Sequence, residues 1–144
     1  MFHSKPCQKP CSSTRLSPTS GTPLSDPHSY RSLIESLQYL NFTKLDFSFA
    51  VSQVCQFMTN PTDLHLHAAK RILRHLKGTL LSSLLFKLGP IQVSAYSDAE
   101  WAGDPSNQRS TTSFIVYMSS NPIAWAAKKQ PTVSRSSTEA VYQT

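Results

Sequence analysis

Apolar residues in this chain repeat with two periods, and the change from one to the other divides it. In the first half Tyr30, Leu33, Ile34, Leu37 and Leu40 recur at intervals of three and four, the spacing that lines one face of an α-helix. Asp26 or Ser29 stands where an N-terminal cap is needed. A second set, Phe47, Ala50, Val51, Val54 and Met58, begins after Asp46 and stops before Asn60-Pro61. A proline there ends one helix and suits the start of the next. The two helices are predicted to meet through a turn at 41–44. Residues 62–78 give the clearest helix, with Ala69, Ile72, Leu73 and Leu76 on one side, Lys70, Arg71, Arg74 and Lys77 on the other, and Gly78 at its end.

Past Gly78 the period shortens to that of strands. Leu84, Leu85 and Phe86 suggest a short strand and Gly89-Pro90 a turn. Residues 91–98 then alternate, with Val93, Ala95 and Ser97 on one face and Ser94, Tyr96 and Asp98 on the other. Two more strands, 112–119 and 123–128, are joined by Ser120-Asn121-Pro122, and such short links predict an antiparallel meander. Trp101 and Trp125 are read as core fillers. Residues 134–137 precede a capped helix start at Thr138-Glu139-Ala140-Val141-Tyr142. By contrast, residues 1–29 hold Pro6, Pro10, Pro18, Pro23 and Pro27 among Ser, Thr and Cys, a composition expected to form a disordered linker or tail. The fold class is mixed α/β, a helical segment followed by a three-stranded antiparallel meander.

A length of 144 residues with 39% apolar content allows one ordinary domain or two incomplete ones. Fourteen Lys and Arg against eight Asp and Glu give a formal charge of +6, a tilt toward an anionic partner such as nucleic acid. Cys7, Cys11 and Cys55 are odd in number and fit no zinc spacing, so three free thiols in a reducing compartment are expected. No run reaches the roughly 18 apolar residues of a membrane span. Met1-Phe2-His3-Ser4-Lys5 leads into Pro and Ser and not into an apolar signal core. The expectation is a soluble intracellular chain, its compartment unspecified, with no membrane partner.

Asp98 is the candidate for chemistry, a carboxylate on the end of an apolar strand beside the turn at Gly103-Asp104-Pro105. Mg²⁺-dependent phosphodiester hydrolysis needs hard oxygen ligands fixed in this way, usually around two ions about 3.5–4 Å apart. The plain alternative is a solvated aspartate. Lys70, Arg71, Arg74 and Lys77 likewise either solvate a helix face or meet phosphate. His65 and His67 point away from each other on a helix and are read as cap or surface residues.

Longer motifs narrow the reading. Tyr30-Arg31-Ser32-Leu33-Ile34, Ser36-Leu37-Gln38-Tyr39-Leu40, Ala68-Ala69-Lys70-Arg71-Ile72-Leu73-Arg74, Tyr96-Ser97-Asp98-Ala99, Trp101-Ala102-Gly103 and Ser134-Arg135-Ser136-Ser137-Thr138-Glu139-Ala140 closely resemble the Pol polyprotein of copia-type LTR retrotransposons. The match runs from about residue 6 to the end. The resemblance implies that residues 30–80 are the helical close of a reverse transcriptase, 81–90 a connection, and 91–144 the truncated opening of a ribonuclease H-like domain with an incomplete fold. It makes Asp98 the first metal ligand of a Mg²⁺ site.

The same resemblance shows departures. No Asp-Asp pair of a polymerase palm occurs in the chain. The family's helix glutamate falls on Val141 here. Glu139 is its nearest substitute, but two helical positions lie about 200° apart. Glu35 and Ser113 stand where the family has Gly, Leu45 where it has Pro, and Glu100 where it has Asp. The expectation is therefore a truncated, degenerate Pol fragment in which Asp98 and Glu139 are vestigial catalytic residues and no functional Mg²⁺ is held. One rival is a weak, non-specific RNA- or DNA-binding module using Lys70, Arg71, Arg74, Lys77, Lys128, Lys129 and Arg135. Another is a hybrid ribonuclease in which Glu100, Asp104 or Glu139 replaces the missing ligands, or which a partner or longer frame completes. The open sheet edge is expected to favour self-association.

Overall fold

The computed structural model describes residues 4–11, 15–103 and 108–142. The chain divides into two compact units, Met1–Leu84 and Leu85–Thr144.

The first unit is built on three helices, α1 (Pro27–Leu40), α2 (Ser48–Cys55) and α3 (Asp63–Gly78), with a 3₁₀ turn at Leu45–Phe47. Asp26 caps α1, its carboxylate accepting from the His28 amide at 3.0 Å and from the Ser29 hydroxyl. Hydrogen bonding to the charged form holds that carboxyl below its usual pKa, the Ser29 hydroxyl contributing most. The stripe read from the sequence closes on itself: Tyr30, Ile34 and Leu37 of α1, Phe47, Ala50, Val51 and Val54, and Ala69 and Ile72 of α3 make one buried cluster. Glu35 is exposed on the opposite side of α1.

The second helix ends at Cys55, short of the expected Met58. Three successive i to i−3 hydrogen bonds, from Gln56, Phe57 and Met58, tighten the chain there. The Arg31 guanidinium takes the carbonyls of Met58 and Thr59 at 2.8 and 3.2 Å. Tyr30 Oη donates to Val54 O at 2.7 Å. Carbonyls in the last turn of α2 and in the segment after it are thus satisfied by side chains from α1.

The proline-rich segment differs from the expected free tail. Cys11, Leu16 and Leu24 pack on the helical core. Its carbonyls are met by donors of α3: Arg71 Nε reaches Lys9 O and Cys11 O, both at 3.1 Å, and Lys77 Nζ reaches Ser4 O at 3.1 Å. His75 Nδ1 and His65 Nε2 approach Cys7 O and Ser17 O at 2.9 and 3.1 Å. Gly21, at φ +89°, lies so close to Asp63 that a Cβ would collide with the carboxylate. Composition predicted a segment unable to bury itself; it is held because a neighbouring helix supplies the hydrogen bonds.

The second unit is a three-stranded antiparallel sheet in the order β1 (Val93–Glu100), β2 (Thr111–Met118), β3 (Asn121–Lys129), followed by α4 (Ser137–Tyr142). The meander read from the sequence is present, with Asp98 opposite Ser113 and Ser113 opposite Ala127. Ser113 lies inside β2 and is not among the described positive-φ residues, so a serine there is unstrained. Leu84, Leu85 and Phe86 form no strand and are exposed. Trp101 does not fill a core: it is half exposed, with Nε1 donating to Ser134 O at 2.9 Å. Trp125 is only partly buried.

Candidate functional site

Strand pairing decides which side chains share a face. Residues opposite each other in an antiparallel pair project the same way, so Tyr96 and Asp98 stand with Ile115, Ser113, Trp125 and Ala127 on one face. Ala99, Thr112 and Lys128 are on the other. Asp98 is exposed, and its Oδ1 accepts from the amide of Ala99, its own neighbour, at 2.8 Å.

The position of α4 is fixed by a buried amide. Gln130, 4% exposed, donates from Nε2 to Thr112 Oγ1 at 2.8 Å and to Ala140 O at 2.7 Å, while its Oε1 accepts from Ser134 Oγ at 3.0 Å. Thr112 projects from the face opposite Asp98, so this network draws α4 to that side at the end of β1. Glu139 is occupied locally. Its Oε2 accepts from the Arg135 amide at 2.8 Å, and its own amide donates to Ser136 Oγ at 3.1 Å, a helix cap in which the carboxylate reaches the residue before the capping serine. Val141 is 45% exposed. Among the described residues no three His, Cys, Asp or Glu side chains gather as a metal ligand set. Glu100 is exposed on β1 beside Trp101, and Asp104 lies outside the described residues.

The expected nucleic-acid residues fall into both units. On α3, Lys70 and Lys77 are exposed and Arg71 and Arg74 half-buried. Arg71 and Lys77 spend donors on the N-terminal carbonyls, as described above, so part of the cationic face serves folding. Lys128 and Lys129 are adjacent on β3 and project to opposite faces, and Arg135 is exposed before α4.

Two features of α3 go beyond the sequence reading, which left His65 as a cap or surface residue. His65 is fully buried and closes the capping box: the amide of Thr62 donates to its Nδ1 at 3.0 Å, which leaves the proton on Nε2 for Ser17 O. Its ring stacks on Phe57 at 3.9 Å. Burial pushes its pKa below the usual 6.5, against smaller opposing effects of the Ser17 carbonyl and Asp63. The placement of a Thr three residues before it was the available signal, with His standing where Glu or Gln is usual. The second feature is that His67, Arg71 and Arg74 line one cavity with Arg15, a row at i, i+4 and i+7. The three cysteines are free; burial raises the thiol pKa of Cys11 and of Cys55.

No protein-family model and no solved structure matches the chain. Similar proteins include transposon polyproteins. The chain is 50% identical over 145 aligned positions to the retrovirus-related Pol polyprotein from transposon RE1 of Arabidopsis thaliana, and 48% identical to that from transposon RE2 of the same plant. In both alignments 99% of the chain is covered, and the chain spans 10% of the polyprotein's length. It is also 43% identical to an uncharacterized mitochondrial protein of Arabidopsis thaliana, covering 60% of that protein. With these two polyproteins 48–50% identical to it over nearly its whole length, the chain corresponds to a segment of retrotransposon Pol polyproteins.

Proposed function

We propose that the chain is a diverged copia-type Pol segment in which the helical unit corresponds to the close of a reverse transcriptase and the sheet unit to the opening of a ribonuclease H-like domain, and that it does not by itself cleave RNA–DNA hybrids. The observation that carries the second part is the placement of the two carboxylates. Asp98 projects from one face of the sheet, while α4, with Glu139 engaged by the Arg135 amide, is drawn by Gln130 toward the other. The residues do not fit the two-Mg²⁺ group of the parent family. Hybrid cleavage by the wild-type chain and by Asp98→Asn, side by side in Mg²⁺ and in Mn²⁺, tests this. The expected result is no cleavage by either; metal-dependent cleavage lost on Asp98→Asn would overturn it.

A second reading, weak binding of RNA or DNA without sequence preference, is favoured by the exposure of Lys70 and Lys77 along one helix. Replacing both with Gln should lower affinity and flatten its salt dependence, and unchanged binding would leave Lys70 a solvated residue and Lys77 a donor to the N-terminal segment.

A further inference from the structure

Within the first unit a cavity of about 310 Å³ lies between the N-terminal segment and α3, at the small end of the roughly 300–1,000 Å³ typical of ligand sites. Arg15, His67, Arg71 and Arg74 line it, and none of the described lining residues is acidic. The carboxylate of Asp63, on the adjoining first turn of α3, is occupied by the amides of Thr22 and Leu64 at 2.8 and 2.9 Å. Three guanidinium groups are thus concentrated around one concavity without a carboxylate among its walls.

Such an arrangement has an electrostatic cost that an anion would relieve. Arg71 is held by its Nε on two carbonyls, which fixes a planar group that has four further N–H donors on its other two nitrogens. The Nε of Arg74 is buried and has no hydrogen-bond partner among the described residues, and an unsatisfied buried donor of a charged group is costly. Bidentate pairing with phosphate oxygens is what guanidinium groups in this density are suited to. Leu16 and Leu64 supply an apolar wall, so the cavity suits a phosphate carried on a larger body better than a bare ion.

We propose that this cavity binds a phosphate monoester of about mononucleotide size, with Arg15, Arg71 and Arg74 holding the phosphate. The proposal goes beyond the Pol assignment and does not depend on it. It differs from diffuse backbone contact by Lys70 and Lys77, because it requires a terminal phosphate and a single saturable site.

Calorimetry on the full chain with AMP as probe is the test, with adenosine as the uncharged control. The expected result is one-site binding of AMP, none of adenosine, and competition by inorganic phosphate. Arg74→Gln should weaken AMP about tenfold or more, and Arg15→Gln, which leaves the α3 hydrogen bonds to Lys9 and Cys11 in place, should do the same. Lys87→Gln, outside this unit, should change nothing. A 5′-phosphorylated oligonucleotide that displaces AMP while its unphosphorylated copy does not would identify a nucleic-acid end as the source; displacement by neither would point to a free small molecule. Failure of AMP to bind the folded wild-type chain would overturn the proposal. So would equal displacement by both oligonucleotides, or a loss with Lys87→Gln as large as with Arg74→Gln.

Discussion

Replacing His65 probes how the N-terminal segment is tied to the helical unit. His65→Ala removes the acceptor for the amide of Thr62, a residue 5% exposed, the donor to Ser17 O, and the ring stacked on Phe57. A lost cap costs about 1 kcal/mol and an unsatisfied buried amide about 1–3 kcal/mol, so the variant should lose about 2–4 kcal/mol in a urea melt followed by circular dichroism. His65→Gln keeps an acceptor at the same helical position and should lose about 1 kcal/mol. The pH dependence separates the two roles. In the folded chain His65 is held neutral, its pKa below the usual 6.5. As the pH falls below that value the unfolded chain takes up a proton that the folded chain resists, so stability is fully present above pH 6.5 and is lost as the pH falls toward the folded value. Asp26, whose pKa is lowered from 3.8, acts only in a more acidic window. Wild type should therefore lose stability on passing from pH 7.5 to about 5.5, and His65→Gln should lose less. Equal stability of wild type at both pH values, or an undiminished loss in His65→Gln, would refute this role of the imidazole.

Tyr30→Phe removes the hydrogen bond to Val54 O but keeps the ring, and that carbonyl retains the Phe57 amide at 3.2 Å; denaturant melts should show a loss of about 1 kcal/mol, against about 3–5 for Tyr30→Ala. Gln130→Ala strips partners from Thr112, Ser134 and Ala140 and should release α4 from the sheet, seen as faster amide exchange at Ala140, with a cost of about 2–4 kcal/mol; unchanged protection there would contradict the anchoring role. Tyr96 and Ile123 are 64% and 47% exposed on a sheet whose two outer strands are β1 and β3, so sedimentation should show concentration-dependent association, and a clean monomer at high concentration would count against it.

Local periodicity made much of the fold legible. The Tyr30, Ile34 and Leu37 stripe and the alternation through Tyr96 and Asp98 each report a face that burial or pairing imposes. The N-terminal segment was not legible, because what holds it is donors on α3, Arg71, His75 and His65, meeting backbone carbonyls that carry no sequence signal. The cationic side of α3 read as one surface for the same reason. Asp98 was locatable from its strand, but its relation to Glu139 depended on Gln130 and Thr112, two polar residues with no periodic mark. The apparent strand at Leu84, Leu85 and Phe86 failed because an apolar run needs a partner strand, and β1 pairs with β2.

The proposed separation of Asp98 from Glu139 is tested most directly by following the side-chain carboxyl carbon-13 signals of both residues during titration with diamagnetic Mg²⁺, which moves the carboxylates that coordinate it. A weak shift of Asp98 with Glu139 unmoved is expected. Saturable shifts of Asp98 and Glu139 together, at the same metal concentration, would show the two carboxylates sharing an ion and would contradict that separation.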